Sequence, residues 1–213
     1  MIKKALKENY LYLLSIIILT ILFFVIGKTD IYNKILDFDY KVIEIISNIY
    51  DPKIESLMTF ITKFGEWYIP TAIIVCIFLF VKNKLYSYIL IVNYAVIGLI
   101  TFIVKSIIMR PRPLVALIEI PLSYSFPSGH TLTSIFFYIL LWYLITLNKN
   151  NKIKIPLFIL FSLLAILVSF SRIYLGVHYF SDVMGGIIYS IPCLLCTLNI
   201  LNKNFKEKLW KEV

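Results

Sequence analysis

At 213 residues, 60% hydrophobic and only 15% charged, with a mean hydropathy of +0.87, the chain is too apolar for a water-soluble globule (about 45–50% apolar and 25% charged) or for disorder. Its solvent is lipid. The net charge of +9 would suggest nucleic acid in a soluble protein; here its distribution along the chain decides, because lysine and arginine set membrane topology.

Six charge-free apolar runs follow one another: 11–27, 67–81, 85–104, 131–148, 155–171 and 183–202. A crossing takes roughly 20 apolar residues, and backbone polar groups in hydrocarbon must pair within their own segment, so each run predicts a transmembrane helix. The first follows Lys3, Lys4 and Lys7 as a signal peptide would, but Lys28, Thr29 and Asp30 come next in place of a small-x-small cleavage site, so a retained span is expected. Between the first two runs, 28–66 mixes both charge signs with Ile31, Tyr32, Ile35, Leu36, Phe38, Val42, Ile45 and Ile46, a spacing that predicts an amphipathic helix on the outer face. The second run, 67–81, is short; it either extends back through Gly65 or is preceded by a separate surface-lying helix over Ile54–Thr62. Cys76, Cys193 and Cys196 all fall in apolar runs, where a thiol packs as a small hydrophobe, and no disulfide is expected. No repeat or linker divides the chain. The expected fold is all-α: one domain over 1–213, a polytopic membrane bundle of six transmembrane helices with an outer-face amphipathic segment.

With the N-terminus inside, the inner segments 1–10, 82–84, 149–154 and 203–213 hold twelve lysines and three glutamates, and the outer segments nine basic and nine acidic residues. The whole surplus then lies on one side, which places both termini in the cytoplasm. The charge is topology and headgroup contact, and no nucleic-acid partner is expected.

The outer loops hold an unusual inventory. The chain has two histidines, His130 and His178, and three arginines, Arg110, Arg112 and Arg172, all in the loops after the third and fifth spans. Lys105 and Arg112 are seven residues apart, about two helical turns, and could share a face if the helix continued, which Pro111 and Pro113 oppose. Each could anchor a span at the headgroups; together they could bind phosphate. Pro127–Ser128–Gly129–His130 opens the fourth span, where Ser128 could cap the helix or donate to an anion, Gly129 allows close approach, and His130 could donate a proton. His178 and Asp182, four residues apart, would share a helix face, so that the carboxylate fixes the imidazole tautomer; Asp182 could equally be a plain helix cap. These two histidines and Asp182 could also ligate a metal, but three surrounding cations oppose a divalent ion and favour an anion. No metal or other cofactor is expected.

At these residues the sequence resembles the type 2 phosphatidic acid phosphatase superfamily of membrane lipid phosphatases. The family pattern K-x6-R-P, P-S-G-H, S-R-x5-H-x3-D reads here Lys105, Arg112, Pro113; Pro127, Ser128, Gly129, His130; Ser171, Arg172, His178, Asp182. The resemblance implies that His178 attacks phosphorus to form a phosphohistidine, Asp182 orients it, and His130 protonates the leaving group. It assigns the phosphate oxygens to Lys105, Arg112, Ser128, Gly129 and Arg172, with Ser171 supporting them, and needs no metal. It implies a hydrolase of the cell envelope, with its site outside the cytoplasm and a membrane lipid phosphate as substrate. Undecaprenyl diphosphate is favoured, with phosphatidylglycerophosphate or phosphatidic acid as alternatives. A lipid phosphotransferase would use the same residues. An anion transporter would use the cations for selectivity, and a purely structural membrane protein leaves the histidines unexplained. The apolar segment 114–126 is expected to form a lip where lipid reaches the site. The sequence leaves the oligomeric state open.

Overall fold

The computed structural model describes residues 2–120, 122–147 and 149–204, with the side chains of residues 2–8 and 204 left aside. The charges expected to hold the ends of the chain inside, among them Lys3, Lys4, Lys7, Glu8, Glu207 and Glu212, lie outside the described side chains. Among the described residues the fold is all helix: α1 (Ile2–Ile26), α2 (Asp30–Asn48), α3 (Pro52–Thr62), α4 (Tyr68–Phe80), α5 (Leu85–Ile108), α6 (Gly129–Thr146), α7 (Asn151–Tyr174) and α8 (Phe180–Asn204).

Helix α6 is the centre of the bundle. It packs against α5, α7 and α8, and 56% of its apolar window is buried, against 6% for α1, which lies outside against α8 and α5. Leu132, Phe136, Phe137, Leu140 and Leu144 of α6 form the core with Leu90 and Ile97 of α5 and Tyr189 of α8. The outward apolar side chains of the other helices meet lipid, which is why so many isoleucines and leucines are exposed.

The predicted second span differs from expectation. Helix α4 has 13 residues, a length of about 20 Å, too short to cross alone. It continues α3 through a tight turn at Lys63–Gly65, and the pair, bent by 48°, together has the length of a crossing. Helix α3 is not a free surface helix: it packs on α7 with Met58 and Thr62 buried. Asp51 caps it by accepting from Lys53 N at 2.6 Å, with Pro52 in the first turn. Gly65 is required at the bend, because a Cβ there would lie 2.6 Å from Val168 Cγ1 and 2.8 Å from His130 Cδ2.

The helices also overrun the apolar runs. Lys105 lies in the last turn of α5 and Arg172 in that of α7; Asp182 lies in the first turn of α8. Charged residues end an apolar run in the sequence, but a helix continues through them where protein groups pair the charges. Helix α5 stops at Met109, whose left-handed φ of 50° lets its N–H close on the Lys105 carbonyl at 2.9 Å. Helix α2 is amphipathic and packs on α7 and α8.

The 109–128 loop, the 175–179 turn, the α3–α4 bend and α2 meet at one end of the bundle. The turn depends on Gly176, whose φ is +67° and whose Cβ would sit 2.5 Å from the Val115 carbonyl oxygen. Gly176→Ala should therefore lower the thermal unfolding midpoint in detergent, at a cost of about 1–3 kcal/mol. Gly98→Ala, with nothing within 4 Å of the added carbon, should not; equal midpoints for the two variants would contradict this packing.

Candidate active site

Four helix ends and two loops carry the motif residues. The turn after α7 folds back on itself: Leu175 N bonds the Ser171 carbonyl at 2.9 Å, and Val177 N and His178 N both reach the Arg172 carbonyl at 3.3 Å. His178 therefore sits in the turn, not on the helix the sequence suggested, yet its Nδ1 still lies 3.4 Å from Asp182 Oδ2. Asp182 is at the third position of α8, and the same oxygen accepts from Tyr179 N at 3.0 Å, the back-reaching half of a capping box. Capping and orienting the imidazole are thus done by one carboxylate.

Asp182 is fully buried, and its oxygens take further donors. Ser125 Oγ donates to Oδ2, and Arg110 Nη1 to Oδ1 at 2.7 Å. Its backbone carbonyl accepts from Ser128 N at 2.9 Å, which ties the start of α8 to the start of α6.

The imidazole tautomer follows from its neighbours. Nε2 of His178 lies 3.1 Å from Arg112 Nη1, which can only donate, so Nε2 carries the lone pair and Nδ1 the proton directed at Asp182. Burial holds the His178 pKa down at about 3; Asp182 opposes this shift, and Arg112 and Lys105 add to it. At neutral pH the ring is uncharged and its Nε2 faces Arg112.

Arg112 clips the site shut. It donates to the Ser123 carbonyl at 2.7 Å, to Ser123 Oγ at 3.0 Å and to the Val177 carbonyl at 2.8 Å, joining the loop to the turn. Burial lowers its pKa from the ordinary arginine value, although Asp182 works the other way. Lys105 Nζ donates to the Tyr124 and Ser125 carbonyls. These neutral acceptors are weaker partners for a cation than a phosphate dianion. Arg172 Nη1 donates to Thr62 Oγ1 at 2.6 Å, while its Nε is buried without a partner.

The remaining motif residues have separate surroundings. Ser128 caps α6, accepting from Thr131 N at 3.5 Å and Thr131 Oγ1 at 3.1 Å, so the capping use is realised. Ser171 is buried and donates to the Val168 carbonyl at 2.6 Å, which fits support of the helix end. At Gly129 a Cβ would meet only Thr101 Cγ2 at 3.5 Å and Lys105 Cε at 3.9 Å, ordinary contacts, so protein crowding does not demand glycine there. What a side chain would fill is the space beside Lys105.

His130, partly buried at the start of α6, has Nε2 3.1 Å from Glu66 Oε1. The charge of Arg112 bears on both His130 and His178, so the two imidazoles border one cationic region. Among the described residues no group of three His, Cys, Asp or Glu side chains is placed to hold a metal ion. The three cysteines are free thiols; Cys193 and Cys196 line an apolar cavity of about 440 Å³ between α1, α5 and α8 that contains none of the motif residues.

Sequence reasoning missed four partners: Glu66, Thr62, Ser125 and Asp39, the last paired with Arg110 at 2.7 Å. Two carried a signal. Glu66 is a lone carboxylate at the foot of an apolar run, and Asp39 sits on the apolar side of α2 with Ile35, Val42 and Ile46.

A helical membrane bundle with both imidazoles, all three arginines and Lys105 toward one end fits an integral-membrane hydrolase of phosphate esters. Known proteins place it more closely: the PAP2 superfamily sequence model matches residues 86–206, and the chain belongs to that superfamily. It is 32% identical over 197 residues to phosphatidylglycerophosphatase B of Bacillus subtilis (strain 168), covering 88% of this chain and 93% of the relative. It is 30% identical over 159 residues to undecaprenyl-diphosphatase BcrC of the same organism, covering 71% and 77%. The crystal structure of the transmembrane PAP2 type phosphatidylglycerolphosphate phosphatase from Bacillus subtilis superposes with a TM-score of 0.79 at 26% identity, over 89% of this chain and 96% of that one. The protein is a multi-pass membrane lipid phosphatase.

Gly129→Val should weaken inhibition by inorganic phosphate by about tenfold, or 1.4 kcal/mol, with little change in unfolding midpoint. An unchanged inhibition constant would remove Gly129 from the anion site.

Proposed function

We propose that the enzyme hydrolyses a lipid diphosphate or monophosphate at the outer membrane face through a phosphohistidine on His178. The observation that carries this reading is the buried His178 imidazole, with Nδ1 beside Asp182 and Nε2 turned toward Arg112. Nε2 attacks phosphorus, and the P–N bond forms as the P–O bond to the lipid breaks. His130 gives the departing oxygen a proton, and Glu66 keeps that imidazole aimed. Water, deprotonated by His130, then attacks the phosphohistidine, releasing inorganic phosphate and restoring both histidines. Lys105, Arg112 and Arg172 bind the phosphoryl oxygens and offset the charge that builds on them, with the Ser128–Gly129 backbone at the N-terminus of α6 adding its dipole. No step needs a metal.

Undecaprenyl diphosphate is the substrate we favour. A terminal diphosphate carries up to about three negative charges, matched by the three cations, and one relative is an undecaprenyl-diphosphatase. Phosphatidylglycerophosphate is the second reading, supported by the relative that covers more of both chains. Lipid reaches the site from the bilayer beside the 114–126 loop. Ala116 and Ile118 of this loop pack against the cluster of Met58, Tyr174, Leu175 and Val177, and Leu114 projects freely at 96% exposure. The lysine-rich inner segments support cytoplasmic termini and a site on the opposite side.

Purified wild type should release inorganic phosphate in EDTA from undecaprenyl diphosphate faster than from phosphatidylglycerophosphate or phosphatidic acid, with no acceptor lipid present. His178→Ala should lose at least about a thousandfold in kcat while inserting normally. Turnover that needs an acceptor lipid would indicate a phosphotransferase, chelator sensitivity would require a metal, and near-normal turnover in His178→Ala would remove the nucleophile.

A second expectation comes from burial. A nucleophile must be unprotonated, and the His178 pKa is depressed, so its protonation reduces activity only at low pH. The acid limb of kcat/KM set by the enzyme should fall well below 6.5, the ordinary histidine value. A limb at or above that value, seen with a substrate that does not itself titrate there, would contradict a buried neutral nucleophile.

A further inference from the structure

Arg110 lies within the K-x6-R-P motif at a position the pattern leaves open, two residues before Arg112, and its side chain is buried at this end of the bundle. Its two terminal nitrogens serve different carboxylates: Nη1 donates to Asp182 Oδ1 at 2.7 Å and Nη2 to Asp39 Oδ2 at 2.7 Å. Nη1 also donates to Ser181 Oγ at 2.7 Å. The guanidinium stacks on Tyr179, 4.2 Å from the ring centroid, and approaches Tyr32 at 5.5 Å. Asp39 in turn accepts from Ser181 N at 2.9 Å and Ser181 Oγ at 2.5 Å. Exposure is 5% for Arg110 and nil for both carboxylates, so water cannot screen the chain of charges.

We propose that Arg110 and Asp39 are positioning residues that set the basicity of His178 through Asp182, making the amphipathic helix α2 part of the catalytic apparatus. This rests on His178 being the nucleophile. Besides the neutral donors Ser125 Oγ and Tyr179 N, Asp182 divides its charge between two titratable partners, Arg110 on Oδ1 and the His178 ring on Oδ2. A guanidinium given wholly to Asp182 would draw charge from the carboxylate and leave it a poorer partner for the imidazolium that develops when Nε2 attacks. Asp39 holds the other end of Arg110 and limits that withdrawal. Docking α2 alone would not need this link, since the Asp39 bonds to Ser181 already fix α2 to the start of α8.

Two variants move the charge on Asp182 in opposite directions. His178 is faced by Asp182 from α8, Arg112 from the loop and Lys105 from α5; Asp182 is faced by Arg110; Arg110 is faced by Asp39 and Tyr32 of α2 and by Tyr179. Burial works against the Arg110 cation, but Asp182 and Asp39 outweigh it and raise its pKa, so Arg110 stays charged throughout. Removing Arg110 frees the Asp182 charge and raises the His178 pKa; removing the Asp39 charge concentrates Arg110 on Asp182 and lowers it.

The full-length purified enzyme is assayed on one lipid phosphate across pH. Asp39→Asn should lower kcat about tenfold or more, with KM changed less than about threefold, and should not raise the acid limb of kcat/KM. Arg110→Met should move that limb upward, and Arg110→Lys should restore it toward the wild-type position. Equal limbs in Asp39→Asn, Arg110→Met and wild type, shifts upward in both variants, or a rise in KM that matches the loss in kcat would overturn the proposal. If Arg110→Met does not fold, Asp39→Asn decides, because its amide oxygen keeps the bond from Ser181 N; wild-type kcat in that variant overturns it. His178→Ala, run in parallel, reports on the nucleophile itself, so loss of turnover there with no effect at Asp39 and Arg110 rejects this inference alone.

Discussion

One buried carboxylate organises the molecule. Asp182 has no exposure at all, and a lone desolvated carboxylate costs several kcal/mol. The fold offsets this with four donors from three places: Arg110 and Ser125 in the long loop, His178 in the turn, and the Tyr179 backbone at the start of α8. Once those donors are in place, the loop, the turn, α8 and, through Asp39, α2 have fixed positions relative to one another. The site follows from the need to satisfy a charge where water is scarce.

This constraint explains how helices dispersed along the chain bring their charged ends to one end of the bundle. The apolar core around α6 fixes the helices laterally but is indifferent to what their ends carry. The ends carry the titratable side chains: Lys105 at the close of α5, His130 at the opening of α6, Arg172 at the close of α7 and Asp182 near the start of α8. Each is polar enough to leave the hydrocarbon and close enough to it to be poorly hydrated. Cations so placed have a strong preference for a phosphate, and a lipid headgroup is delivered to that depth by its own tail.

Much of this was legible in the sequence, for physical reasons that differ by element. Apolar runs of bilayer length permit only helices or closed barrels, so α1 and α5–α8 could be read directly, whereas α4 was obscured because it is too short alone and joins α3 across a bend. The spacing of His178 and Asp182 predicted their contact but attributed it to a helix face; the chain makes it through a glycine-dependent turn, which spacing alone does not reveal. Thr62 and Ser125 escaped because their partners are dozens of residues away or more and a lone threonine or serine carries no pattern, whereas Glu66 stood out as a carboxylate at the foot of an apolar run but only the fold shows its partner, His130. Asp39 was visible as a charge on the apolar face of α2, and Arg110 as a rare arginine, but only the fold pairs them.

The central claim is that phosphorus is attacked twice, first by Nε2 of His178 and then by water. The most direct measurement is the stereochemical course of hydrolysis, using a substrate made chiral at phosphorus with sulfur and oxygen isotopes. Two successive in-line displacements predict overall retention of configuration. Inversion would mean that water attacks the lipid phosphate in a single step, and the buried imidazole would then be a base or a structural group instead of the nucleophile.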